Sequence, residues 1–192
     1  VFIWTQANWW NAAWQYRRTI TIDHTKVSGD QTDFPVLIDL TDAGLTLKAQ
    51  TDGDDFVFTD ADQAKLSHEI ELYESSAGHL VVWVKIPLLS STIDTVLYIY
   101  YGNPSSPNQQ DVAAVWDASN KLVLHPDETT GIHYDSTVNG NNGTPYNGVI
   151  QGASGQIDGA DTFDGLNDYV QVAHSSELTG YTASFTASFW IK

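Results

Sequence analysis

Cysteine and methionine are both missing from this 192-residue chain. Without cysteine there is no disulfide, no thiolate nucleophile and no zinc–sulfur site. Without either oxidisable sulfur side chain, the composition suits a protein working outside the cell. Basic residues are scarce, 8 against 24 acidic ones, for a formal net charge of -16. A surface of that sign repels nucleic acid and anionic lipid, so neither is expected as a partner. The acidity serves solubility in the simpler reading and gathering of divalent cations in the other. No apolar run is long enough to span a membrane as a helix, so no membrane insertion is expected. No methionine stands at position 1; the expectation is a secreted chain whose signal peptide is already gone.

Catalytic signatures are also missing. The six histidines, at 24, 68, 79, 125, 133 and 174, show no ligand spacing. His68-Glu69 has no second histidine four places after the first, so a zinc-protease helix is excluded. No G-x-S-x-G or phosphate loop occurs, and no pair of carboxylates is singled out as a glycosidase pair. The chain is read as a non-enzyme.

What remains is a globular composition, 42% hydrophobic and only 17% charged, with almost no helical periodicity. Short alternating runs separated by turn residues are the all-β pattern. Residues 16–23 place Tyr16, Ile20 and Ile22 on one face; residues 34–40 do the same with Phe34, Val36, Ile38 and Leu40. Phe56 with Phe58, and Ile70 with Leu72, mark two more strands. Residues 79–86 and 95–101 are apolar on both faces, as central strands of a sandwich are. Short helices are expected at 43–50 and 108–114. After a turn-rich linker near Asn103-Pro104, strands are expected at 121–124, 168–173 and 183–192, around a Gly- and Asn-rich run at 126–159. In the last of these strands Phe185, Ala187, Phe189 and Ile191 alternate with Ser184, Thr186, Ser188 and Trp190. A strand of this kind needs edge partners and a facing sheet, which the chain does not supply after Lys192.

Six segments resemble an uncharacterised domain family of prokaryotic surface and secreted proteins. They are Trp14-Gln15-Tyr16-Arg17-Arg18-Thr19-Ile20-Thr21-Ile22 with Asp33-Phe34-Pro35-Val36-Leu37-Ile38, then Asp52-Gly53-Asp54-Asp55-Phe56-Val57-Phe58-Thr59-Asp60, then His68-Glu69-Ile70-Glu71, then Leu80-Val81-Val82-Trp83-Val84-Lys85-Ile86-Pro87, and Tyr98-Ile99-Tyr100-Tyr101-Gly102-Asn103-Pro104. The resemblance covers residues 14–116, and it implies no agreed activity. The segments Asp135–Thr144, Phe163–Val170 and Phe185–Lys192 resemble the first half of a laminin-G-like, concanavalin A-like jelly roll. Together the two imply an all-β chain of two antiparallel β-sandwich (jelly-roll-like) modules, the second incomplete. The expected divisions are an apolar tail at 1–13, a sandwich at 14–115 and a partial laminin-G-like module at 116–192.

Candidate sites follow. Jelly rolls of this class hold a structural Ca2+ on loop oxygens, which points to Asp135, Asn139, Asn141, Asp164 and Asp168. The competing reading makes these ordinary turn residues that bond their own backbones. The acidic run Asp52–Asp62 is read mainly as turns flanking a strand. Carbohydrate binding would use aromatic platforms, and Trp116 and Tyr146 are the freer rings of the second module. Asn142-Gly143-Thr144 is a glycosylation sequon. Phe2, Trp4, Trp9 and Trp10 make a sticky N-terminus that packs on its own domain or on another subunit. The function expected is a structural or adhesive protein of the extracellular cell surface, self-associating into an assembly or filament by strand complementation. The alternative is a glycan-binding, lectin-like module of a larger secreted protein or enzyme.

Overall fold

A computed structural model of the chain describes residues 9–179 and 184–191. The chain forms antiparallel sheets with little helix, so its class is all-β. It divides into two compact units, 1–115 and 116–192.

The first unit holds β1 (Tyr16–Ile22), β2 (Gln31–Thr41), α1 (Ala43–Lys48), β3 (Val57–Asp60), β4 (Lys65–Leu66), β5 (His68–Glu74), β6 (His79–Leu89), β7 (Thr95–Tyr101) and α2 (Val112–Val115). One sheet has the order β1-β7-β3-β4 and the other β2-β6-β5. The two strands apolar on both faces, β6 and β7, are each hydrogen-bonded to a neighbouring strand on both edges. Leu80, Val82, Val84 and Ile86 occupy every second position of β6 and share one buried cluster with Phe58 of β3 and Leu97, Ile99 and Tyr101 of β7. Two sheets that enclose a common core in this way form a β-sandwich.

The long edge strand β2 carries Pro35 in its middle, a residue that cannot donate to a further strand and so blunts that edge. Asp42 starts α1 by accepting a hydrogen bond from the Gly44 nitrogen at 2.6 Å, and also pairs with Arg18. The β5–β6 turn needs Gly78: its φ is +65°, and a Cβ there would lie 2.2 Å from the Asp42 carbonyl oxygen.

A second buried cluster covers the other face of the β1-β7-β3-β4 sheet. Trp14, Val57 and Tyr100 are its centre, and Trp9, Trp10 and Tyr98 pack against it. Asp55 lies fully buried beneath it and accepts the nitrogens of Gly102, Asn103 and Gln50 at 2.6, 2.9 and 3.0 Å. Asp60 accepts the nitrogens of Asp62 and Ala64. Asp55 and Asp60, with Asp52 accepting the Asp54 nitrogen, thus serve as turn scaffolding, their carboxylates turned onto backbone donors.

The second unit holds β8 (Gly143–Tyr146), β9 (Ile150–Ser154), β10 (Gly159–Thr162) and β11 (Tyr169–Val172), paired as β8–β11 and β9–β10. Single bridges join Leu124 to Asp135 and His133 to Gly143. The strand expected at 121–124 reduces to that bridge. Of the strand expected at 183–192, the described residues 184–191 belong to no strand and are exposed. Alternation states which face of a strand is apolar; it does not supply the neighbour whose hydrogen bonds make the strand. Among the described residues, both buried apolar clusters belong to the first unit.

Candidate functional site

Tyr146 closes β8, and the antiparallel register sets it opposite Tyr169, the first residue of β11. Their rings stack with centroids 5.1 Å apart and planes 18° apart. Both stay open to solvent, at 42% and 45% exposure. The chain then turns through Asn147 (φ +64°) and Gly148 (φ +112°), conformations that asparagine tolerates and glycine adopts freely. This turn rims an open groove of about 340 Å³ lined by Ile132, Thr144, Tyr146, Asn147, Gly148 and Gln151 among others. The Asn147 amide donates to the Asn167 carbonyl at 2.8 Å and the Gln151 amide to the Gly131 carbonyl at 3.2 Å, which fixes two polar groups at the groove. An aromatic face beside oriented amides and a hydroxyl is suited to flat, hydroxylated ligands.

A buried polar centre adjoins the groove through Gln151, whose amide nitrogen lies 3.3 Å from His133 Nε2. His133, 1% exposed, is bracketed by Glu128 at 2.7 Å on Nδ1 and by Asp161 at 2.8 Å on Nε2. The other Glu128 oxygen accepts the Tyr134 nitrogen. Burial raises the Asp161 carboxyl above its ordinary range, against the opposing pull of His133, and burial raises Asp127 in the same way. This arrangement ties the 128–134 segment to β9 and β10. Both carboxylates meet the imidazole, and Asp161 keeps one buried oxygen without a hydrogen-bond partner.

The residues expected to hold calcium fall into two groups. Asp135 accepts the nitrogens of Val123, Thr137 and Asn141 and the Thr137 hydroxyl, at 2.8–3.0 Å. Four donors occupy its four lone-pair directions. The Asn139 and Asn141 amides donate to the carbonyl of Lys121, and Asn139 also to that of Asn120. Asp164 and Asp168 instead shape the 164–168 turn: Asp164 accepts the nitrogens of Leu166 and Asn167, which lower its pKa, and Asp168 accepts the nitrogen of Asp164. A different grouping, Asp23, His24 and Asp94, brings metal-type ligand atoms within 4.8 Å of one another in the first unit. It is solvent-facing and already bonded internally, with His24 Nδ1 2.6 Å from Asp94.

Trp116 is buried, 8% exposed, with its ring 5.9 Å from that of His125, so it presents no open platform. Asn142 of the sequon is half-buried and its side-chain oxygen accepts the Asp135 nitrogen. Trp9 and Trp10 pack within the first unit, edge-on to Tyr100 and Trp14 respectively, and Arg17 stacks on Trp9 and Tyr98. Phe2 and Trp4 lie outside the described residues. Sequence reasoning missed Tyr169 as the partner of Tyr146, the groove amides, the Glu128–His133–Asp161 centre and the Asp23–His24–Asp94 grouping. The last joins residues 70 positions apart, which spacing cannot reveal.

Antiparallel sheets and one buried core between two of them define an all-β protein. Residues 52–176 match the model of the family described as Domain of unknown function (DUF2341), and the chain belongs to that family. The match differs in extent from the resemblance seen in the sequence: it begins at 52 instead of 14 and runs past 116 into the second unit. No curated protein and no solved structure matches the chain.

Proposed function

We propose that this is an extracellular structural or adhesive protein, a non-enzymatic subunit of a cell-surface assembly whose copies complete one another by strand complementation. On this reading the second unit is the opening part of a laminin-G-like jelly roll, and a strand from another copy covers its apolar surface. The observation that carries it is the exposure of the alternating segment 184–191, where Phe185, Phe189 and Ile191 are 72%, 72% and 84% exposed beside a Trp190 at 78%. Apolar surface of that density on a strand-like sequence calls for a protein partner. The leading candidate for the donor is the apolar segment Val1–Trp4. Because Trp9 and Trp10 pack inside the first unit, the test removes residues 1–8 only. Light scattering should give a mass well above 21.2 kDa for the full chain and a monomer for the truncated one. A monomeric full chain sinks the proposal.

The groove favours a second reading, a glycan-binding module. Its support is the stacked, half-open Tyr146–Tyr169 pair beside the Asn147 and Gln151 amides. Saturable binding on a glycan array that is lost in Tyr146→Ala would establish it, and a flat array would remove it.

A further inference from the structure

The second unit contains three Asn-Gly pairs, Asn139-Gly140, Asn142-Gly143 and Asn147-Gly148. Asparagine is among the thermolabile residues, and a following glycine has no Cβ to shield the side-chain amide from the next backbone nitrogen. The fold treats the three pairs differently. The Gly143 nitrogen is held by the His133 carbonyl at 2.8 Å, and the Asn142 side-chain oxygen by the Asp135 nitrogen at 2.9 Å. The Asn139 amide donates to three acceptors, the carbonyls of Asn120 and Lys121 and the hydroxyl of Thr137. Asn147 is exposed, its amide has one acceptor, and among the described residues the Gly148 nitrogen has none. Both residues of this pair are in positive-φ turn geometry.

We propose that Asn147-Gly148 is a site of spontaneous covalent modification, converting the rim of the groove from amide to acid. The deprotonated Gly148 nitrogen attacks the Asn147 side-chain carbonyl carbon. The bond from that carbon to Nδ2 breaks, Nδ2 leaves as ammonia, and a five-membered succinimide remains. Water then opens the ring at either carbonyl, giving aspartate or isoaspartate; nothing is oxidised or reduced. The product places a carboxylate beside Asp168 of the neighbouring 164–168 turn, whose Oδ1 has no hydrogen-bond partner and lies 3.6 Å from where a Cβ on Gly148 would be. The isoaspartate form also lengthens the backbone of the turn between Tyr146 and β9. The modification therefore adds like charge to the groove and loosens the Asn147–Asn167 contact.

The folded full chain is held at mildly alkaline pH and mapped by peptide mass spectrometry over time, with a parallel sample in urea. Local structure that must open before reaction slows it by the opening equilibrium. Asn147 should convert roughly tenfold or more faster than Asn139 and Asn142 in the folded sample, and the three should converge in urea. Asn147→Gln should remove the acidic species seen by ion exchange. Equal rates at the three sites in the folded chain, a slower rate at Asn147, or an acidic species that persists in Asn147→Gln overturns the proposal.

Discussion

In the first unit the side chains sealed from water are mostly hydrocarbon; in the second they are mostly polar. Phe58, Leu80, Val82 and Ile99 are fully buried between two sheets. The buried polar groups of the second unit include His133, Thr137 and Asn141, gathered around the Glu128–His133–Asp161 and Asp135 networks. Apart from the buried Trp116, many of its large apolar side chains stay outside: Leu166 is 88% and Val138 74% exposed. The two solutions differ in what they tolerate. A hydrophobic core is non-directional and accepts change of shape at moderate cost. A buried polar network holds only while every member is present, since the removal of one strands the others.

Four measurements would break or sharpen this contrast. The largest effects are expected at the two centres. Phe58→Ala should destabilise the first unit by about 3–5 kcal/mol in urea unfolding, through lost burial and a cavity. His133→Ala should cost the second unit about 3–5 kcal/mol, because it leaves two enclosed carboxylates facing each other without the imidazole. A cost below about 1 kcal/mol at His133 would place it in the range of surface ion pairs and dissolve the contrast.

The next effect is an exception within the hydrocarbon core. His68 is fully buried against Phe58, and neither ring nitrogen has a hydrogen-bond partner. Burial first, and the charge of Lys65 second, push its pKa down from 6.5 to about 3. As pH falls through the ordinary histidine range the unfolded chain takes up a proton that the folded chain refuses. Stability is therefore full above about pH 6.5 and is lost toward pH 3, by at most about 1.4 kcal/mol per pH unit. Replacing His68 by Leu should flatten this acid limb in chemical denaturation, and an unchanged slope would exclude His68 as its source.

The smallest expected effect is that of chelation. Because the Asp135 carboxylate is filled by four donors, removing divalent cations with EDTA should leave the melting temperature of the second unit unchanged. A fall of several degrees, reversed by Ca2+, would restore the ion to this loop.

Much of the first unit was legible in the chain. The period-2 runs 16–23 and 34–40 became β1 and β2, and the two-faced runs became the central strands β6 and β7. The short helix expected at 43–50 became α1. The second unit was less legible. Its strands β8, β9 and β10 lie within or beside a Gly- and Asn-rich run, where little side-chain alternation survives. The strand expected at 183–192 had the clearest alternation of all, yet its described residues belong to no strand.

The sequence by itself determined the class, the strand faces of the first unit and the acidic, sulfur-free surface. These are properties of local periodicity and of composition, and no partner is needed to express them. Only the tertiary structure decided that Tyr146 meets Tyr169, that His133 lies between Glu128 and Asp161, and that Asp135 is filled by backbone donors. Those are pairings of residues brought together by strand register and turn geometry, and a carboxylate in a sequence looks the same whether it will face a cation, a backbone nitrogen or water.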